Sequence, residues 1–238
     1  MKRPFSLSPR LQAVAGLVPP GTALADVGTD HGRLPVWLIQ HGLVERAVAS
    51  DLRPGPLSRA QALAEQWGVS GRISFRLCDG LSGIAPEEAE TITVTGMGGE
   101  TIADILNAVP WSADPSHRYI LQPMSGQDGL RRYLSGHGFI IQKEVLVPEG
   151  ETLYVILQAE PGEAPPLTEG EIWVGRQDRE MNSPLRGRYL DQELRKLRRA
   201  VDGLARSERP EDHSRLSRYQ LAAHEVAALK EEWEQWHL

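Results

Sequence analysis

The sequence predicts an α/β protein: a doubly wound sheet followed by a C-terminal α-helical antiparallel coiled-coil hairpin. Three observations predict it. Between residues 23 and 160, short β-like runs alternate with helix-like segments, the pattern of a parallel sheet with crossover helices. The stretch EPGEAPPL (160–167) then interrupts the chain with prolines, glycine and acids. Beyond it, apolar residues recur at heptad-like spacing in two consecutive series.

The elements follow in order. ALADV (23–27) reads as the first strand. GRLPVWLIQHG (32–42) reads as a helix ended by Gly42, with Pro35 tolerated in its first turn. RAVASD (46–51) is the second strand, and PLSRAQALAEQWG (56–68) is a helix by its apolar spacing, closed by Gly68. RISFRLCD (72–79), the β-branched TITVTG (91–96) and RYILQP (118–123) are the third, fourth and fifth strands. SGQDGLRRYLSGHG (125–138) begins with Ser125 three positions before Asp128, a capping-box arrangement, and ends on glycines. FIIQKEVLVPEGETLYVILQAE (139–160) reads as two strands joined by a PEGE turn. In the C-terminal part, Leu190, Leu194, Leu197, Val201 and Leu204 follow 4-3-4-3 spacing. SERPEDHS (207–214) breaks that helix, and Tyr219, Ala222, Val226, Leu229, Trp233 and Trp236 follow 3-4-3-4-3 spacing. The expected organisation is a sheet domain over 1–162 and a helical hairpin over 168–238.

A length of 238 residues suits one sizeable domain plus an appendage. The single cysteine, Cys78, excludes an intramolecular disulfide framework and a cysteine-only zinc cage, and fits a reducing compartment. No run of 18 apolar residues exists, so no membrane span is expected. Lys2, Arg3, the stretch Leu11 to Val18 and ALA at 23–25 mimic a signal peptide. The apolar stretch is short, however, Pro19 and Pro20 follow it, and ALADVG reads better as a strand; a cytoplasmic location is the expectation. A net charge of −6 argues against general affinity for nucleic acid, but the charge is uneven. Residues 1–25 hold Lys2, Arg3 and Arg10 and no acid, and residues 184–209 hold eight basic residues against four acids. Such patches suit a polyanionic partner touched at defined places, or simply a solvated helix face. No metal is expected: His213 and His224 are not at ligand spacing, and HEVAA lacks the second histidine of a zinc protease.

A strand, then Asp26-x-Gly28-x-x-x-Gly32, then a helix, reads as a nucleoside-binding loop. Gly28 permits a sharp turn and close approach of a ligand. The pattern is not G-x-G-x-x-G. Asp30 occupies the middle glycine position, where a carboxylate would repel a pyrophosphate, which disfavours a nicotinamide dehydrogenase. An acidic loop suits a cation, and S-adenosylmethionine carries a sulfonium and an ammonium and no phosphate. The second strand ends in Asp51, about 20 residues on, where an acid accepts hydrogen bonds from ribose hydroxyls. The third ends in Cys78-Asp79-Gly80, where Asp79 can address an adenine amino group. Each acid alone also reads as a turn or helix cap. Together they predict a methyl-donor pocket lined by Asp26, Gly28, Thr29, Gly32, Asp51, Asp79, Gly80, Thr95, Gly96 and Met97. The stretch TVTGMGGE (93–100) has two readings: a flexible turn before a helix opening at Glu100, or small residues that let a flat base come close to the backbone.

LSPRLQAVAGLVPPG leading into LADVGTDHGRLP, then CDGL, TVTGMGG and LQP, in order and at suitable spacing, resembles the bacterial tRNA (adenine(22)-N(1))-methyltransferases over residues 6–160. The resemblance implies a Rossmann-like class I methyltransferase domain, S-adenosyl-L-methionine as cofactor, a coiled-coil C-terminal domain and tRNA as substrate, methylated at adenine N1. Gly98, Gly99, Gln122 and Pro123 are then expected at the base, and Arg195, Arg198 and Arg199 on the RNA. Two positions depart from the family's pattern. Asp51 stands where another acid is common, which keeps the ribose chemistry, and Met124 follows LQP where an asparagine is frequent, which removes an amide. Asp30 is the expected catalytic carboxylate, near the exocyclic amino group, with the donor's ammonium as its competing partner; His31 is expected to contact cofactor or base, or to cap the helix. Two other functions fit less well: a small-molecule methyltransferase with a structural hairpin, and a non-catalytic RNA-binding protein with a vestigial pocket. The intact Asp26, Gly28, Gly32 and Asp51 argue against the latter. A monomer is the favoured state.

Overall fold

Successive side chains of a strand point to opposite faces, and here that alternation builds two cores. The computed structural model describes residues 5–177, 183–207 and 209–236. Its strands are β1 (Leu24–Val27), β2 (Ala47–Asp51), β3 (Ile73–Leu77), β4 (Thr91–Gly98), β5 (Arg118–Ser125), β6 (Phe139–Glu149) and β7 (Thr152–Pro161). They form one seven-stranded sheet in the order β3-β2-β1-β4-β5-β7-β6. The first five run parallel, and β7 pairs antiparallel with both β5 and β6. The helices are α1 (Pro9–Ala15), α2 (Arg33–Gln40), α3 (Pro54–Gln66), α4 (Gly99–Asn107), α5 (Gln127–Gly136), α6 (Glu169–Val174), α7 (Arg186–Leu204) and α8 (Pro210–Trp236). On one face Leu24, Ile73, Ile120 and Ile156 meet Val14, Leu34, Leu38 and Ile39 of α1 and α2. On the other, Ala25, Ile92, Tyr119, Leu121 and Leu157 meet Ile102, Leu106, Leu130 and Leu134 of α4 and α5. That second core continues into Leu190, Leu194 and Leu197 of α7 and Ala222 and Val226 of α8; the two hairpin helices pack on each other and on α6, which packs on α5.

The doubly wound sheet, the C-terminal hairpin and every predicted strand are present. Val14, Ala15 and Val18 are buried, so the apolar run of the pseudo-signal segment is core. Four local readings need correction. Ser125 does not cap α5: it closes β5, and Gly126, at φ +66°, is the N-cap, with no side-chain cap bond. Pairing of Gly98 with Ser125 extends both strands past their local signals. The Pro-rich linker gives way to a short helix, α6, started by a capping box in which Thr168 Oγ1 accepts from the Glu171 amide and Glu171 Oε2 accepts from the Thr168 amide. The break between the hairpin helices is shorter than SERPEDHS, because α8 already starts at Pro210, a residue suited to a first helical turn. The helix after β2 starts at Pro54, two residues early. The hairpin is antiparallel: Lys230 near the end of α8 pairs with Asp191 near the start of α7 at 2.8 Å.

One polar cluster ties the hairpin side to the sheet. Arg131 of α5 has a fully buried side chain and grips Glu144 of β6 with two hydrogen bonds, at 3.0 and 2.7 Å. It also donates to the carbonyls of Ile172 and Trp173 in α6 and to the Tyr189 hydroxyl of α7. Burial opposes the Arg131 charge, but Glu144 and Tyr189 outweigh it and its pKa is raised.

Candidate active site

The strand order reverses at β1, whose neighbours are β2 and β4, and ligands of such sheets bind where strand order reverses, beyond the strands' carboxyl ends. A cavity of about 530 Å³ lies there, within the range of small-ligand sites. The β1–α2 loop forms its floor. Thr29 N donates to the Ser50 carbonyl of β2, and Gly28 lies at φ +68°. A Cβ on Gly28 would sit 2.0 Å from Met97 Cε, so the missing side chain is what lets the Met97 methyl pack against the loop. Asp30 has φ +50°, the one positive φ outside glycine among the described residues. Its amide donates to Asp51 Oδ2 at 3.2 Å, and Asp51 Oδ1 accepts from the Arg53 amide at 2.9 Å.

Of the expected donor-pocket residues, Asp26, Gly28, Thr29, Asp51, Asp79, Gly80, Thr95, Gly96 and Met97 line this one cavity, and so do Asp30 and His31. Gly32 does not. A Cβ there would lie 2.8 Å from Ala60 Cβ, so this glycine lets α3 pack on the loop. Asp30 is 61% exposed at the mouth and 3.6 Å from both Arg59 Nη2 and His31 Nε2. Asp26 is buried at the base, and both its oxygens accept hydroxyls, from Thr29 and Thr93, at 2.7 Å. Burial pushes its pKa up to about 6; the two hydroxyls pull the other way and the Asp51 charge adds to the rise.

Sequence reasoning missed Leu52, Arg10, Thr101 and Ile105 in the cavity lining. Leu52 carried a signal: a large apolar side chain directly after a strand-end acid, here left 65% exposed. The expected base-side residues divide. A Cβ on Gly99 would lie 2.1 Å from the Gly126 carbonyl oxygen, so this glycine serves close approach of two backbones. Pro123 and Gln122 are buried. Gln122 accepts from the Gly96 amide at 3.1 Å and from Arg10 Nη1, and donates to the Pro123 carbonyl. It thereby fixes the β4 bulge at Gly96 and Met97. Gly98 is half-buried beside Ser125, and Met124 is exposed.

The basic patches also divide. Lys2 and Arg3 lie outside the described residues. Arg186 is not on the surface: it is buried and donates to the carbonyls of Val174 and Gly175. Arg195 and Arg199 line a cleft of about 320 Å³ with Lys196, Gln127 and the β6–β7 turn. Arg198 is exposed but outside that cleft. The cleft flanks the same strand ends as the donor cavity: Gln127 follows Gly126, and Glu149, at the end of β6 two residues before the cleft's Glu151, accepts a hydrogen bond from the Arg10 amide. Among the described residues no helix is long and apolar enough to cross a membrane, and no group of three His, Cys, Asp or Glu side chains is placed to hold a metal.

Comparison with known proteins agrees with this geometry. Residues 7–157 match the model of a methyltransferase domain. Over 159 residues, 67% of this chain and 67% of the relative, the sequence is 36% identical to the tRNA (adenine(22)-N(1))-methyltransferase of Bacillus subtilis (strain 168). The chain belongs to the tRNA (adenine(22)-N(1))-methyltransferase family. Two solved structures extend the likeness to the hairpin. The B. subtilis M1A22 tRNA methyltransferase TrmK superposes with a TM-score of 0.84 at 28% identity, over 94% of this chain and 99% of that one. Streptococcus pneumoniae Sp1610 in complex with S-adenosyl-L-methionine superposes with a TM-score of 0.79 at 32% identity, over 93% and 99%.

Proposed function

We propose that this methyltransferase moves a methyl group from S-adenosylmethionine to N1 of an adenine in tRNA, expected at position 22, and that it works in the cytoplasm. The observation that carries the reading is the ring of four carboxylates, Asp26, Asp30, Asp51 and Asp79, around one cavity at the strand-order switch. They fit a doubly cationic donor and oppose a phosphate-bearing one. Gly28, Gly96 and Met97 line the same cavity, with the Met97 methyl packed on Gly28. When bound, S-adenosylmethionine supplies a methyl electrophile that the in-plane lone pair of adenine N1 takes without prior loss of a proton. The chain's own residues then have three tasks. Asp51 accepts the ribose hydroxyls, and Leu52 and Ile105 give the adenine an apolar bed. The bulge held by Gln122 orients the target base, and such positioning supplies about 7–11 kcal/mol. Asp30, at the mouth, stabilises the positive charge that develops on the base and accepts the amino proton afterwards. The division into a sheet domain over 1–162 and an RNA-gripping hairpin over 168–238 belongs to the same proposal. The test is incubation of unmodified tRNA with labelled S-adenosylmethionine, followed by nucleoside analysis: label in N1-methyladenosine supports it, and label only in another nucleoside or in small molecules refutes it.

Two further outcomes are expected. The folded pKa of Asp26 lies above its ordinary value, so the free protein loses stability as pH rises from about 4 to 6 and none from this group above that. A cation beside Asp26 favours the carboxylate. Calorimetry should therefore show affinity for S-adenosylmethionine level above about pH 7 and falling by up to about tenfold per pH unit below about 6. A flat profile down to pH 5 would separate Asp26 from the cation. Charge reversal at Arg195, Arg198 and Arg199 together should weaken tRNA binding by about tenfold or more and flatten its salt dependence, leaving cofactor affinity unchanged. Unaltered RNA affinity in that variant would take α7 out of the substrate site.

A further inference from the structure

The donor cavity is walled by acids, yet S-adenosylmethionine also carries one carboxylate, and the RNA carries phosphates; an anionic oxygen has to be received somewhere. Arg10 of α1 lines the cavity at the end away from Asp51 and Asp79, against the Gly96–Met97 bulge. A Cβ on Gly96 would be 3.6 Å from Arg10 Nη1. The guanidinium is held by neutral groups only. Nη1 donates to Gln122, itself fully buried, and the cation lies 5.4 Å over the Tyr154 ring. Among the described residues no carboxylate forms an ion pair with it, and its buried Nε–H has no partner. The nearby Glu149 carboxylate is engaged by the Arg10 amide, not by its guanidinium; a half-buried guanidinium with no ion pair and a donor without an acceptor are both costly. Arg33, by contrast, is engaged with the Ser6 carbonyl and the Phe5 ring.

We propose that Arg10 is the anion-receiving residue of this site, pre-positioned by Gln122 and Tyr154 to take an anionic oxygen of a ligand at the methyl-transfer end. The proposal rests on the methyl-donor reading above. Two sources offer that chemistry, the amino-acid carboxylate of the donor and a phosphate next to the target base. Because the same Gln122 oxygen holds Gly96, occupancy of Arg10 is linked directly to the bulge that orients the base.

The test compares S-adenosylmethionine with its decarboxylated form, both sulfonium cations, by calorimetry on the full chain, together with tRNA affinity at several salt concentrations. Arg10→Gln and Arg10→Lys are measured beside the wild type, with thermal melting to confirm folding. If the carboxylate is the ligand, the wild type prefers the intact donor by about tenfold or more, and Arg10→Gln abolishes the preference without weakening the decarboxylated compound. If a phosphate is the ligand, the donor preference is unchanged, while tRNA affinity falls and its salt slope drops by about one. In either case Arg10→Lys, which keeps the charge but not the fork, falls between. Should Arg10→Gln not fold, the same two signatures are read from Arg10→Lys. A folded variant with wild-type preference and wild-type tRNA binding overturns the role of Arg10 alone; a wild type that binds neither donor removes the methyl-donor reading with it.

Discussion

Glu144→Ala is expected to lower the unfolding free energy by about 3–5 kcal/mol, a large part of the roughly 5–15 kcal/mol that holds a domain of this kind together. The reason is asymmetry. The Arg131 guanidinium is fully buried and, among the described residues, Glu144 is its only carboxylate partner, with two hydrogen bonds. Removing that acid leaves a charge in the core that the Ile172 and Trp173 carbonyls and the Tyr189 hydroxyl do not neutralise. Those remaining partners belong to α6 and α7, so the loosened contact is the one between hairpin and sheet, and protease sensitivity should rise in residues 162–168. Replacing both partners, Arg131→Met with Glu144→Leu, should recover most of the loss, since a buried ion pair and a well-packed apolar pair of similar volume are close in stability. Urea unfolding at 25 °C measures both variants against the wild type. A loss below about 1 kcal/mol in the single variant would mean that the charge reaches water, as exposed pairs do.

That cluster also marks where the sequence stops being readable. The strands and their order of appearance were legible because short apolar, β-branched runs and strand-end acids are local signals. So were the donor-pocket acids: a carboxylate at a strand end in a doubly wound sheet has little choice of where to stand. Contacts between distant residues were not legible. Arg131 and Glu144 carry no mutual signal, nor do Arg10 and Gln122, 112 positions apart. By sequence Arg186 belongs to a basic patch, because helical charge normally faces water; its carbonyl partners lie in and just after α6, a short helix whose signal is weak beside Pro165 and Pro166. Gly32 and Gly99 have motif positions that suggest ligand contact, yet their missing Cβ atoms make room for Ala60 and for the Gly126 backbone. Ser125 shows the same competition: a plausible local cap was overruled by a ladder that tertiary pairing extends.

Asp30→Ala is expected to cut turnover by about a hundredfold or more while leaving S-adenosylhomocysteine affinity nearly intact. The backbone makes a sharper version of this experiment available. Asp30 sits at φ +50°, a region that costs a non-glycine residue about 1 kcal/mol and that aspartate tolerates better than most. Its amide is held there by Asp51, whose carboxylate is also the expected ribose acceptor. Asp30→Gly removes the strain and the carboxylate together, so it should melt no lower than the wild type and still lose turnover; a structural role for the side chain would instead cost stability. The carboxylate's present partners, Arg59 and His31, are both half exposed at 3.6 Å, so water can compete for it and a cationic base can displace them. If Asp30 instead binds the donor's ammonium, both variants lose S-adenosylhomocysteine affinity in proportion to turnover, because that ligand keeps the ammonium. The two assignments therefore separate on one calorimetric measurement: parallel losses place the carboxylate on the donor, and a loss confined to the chemical step places it on the base.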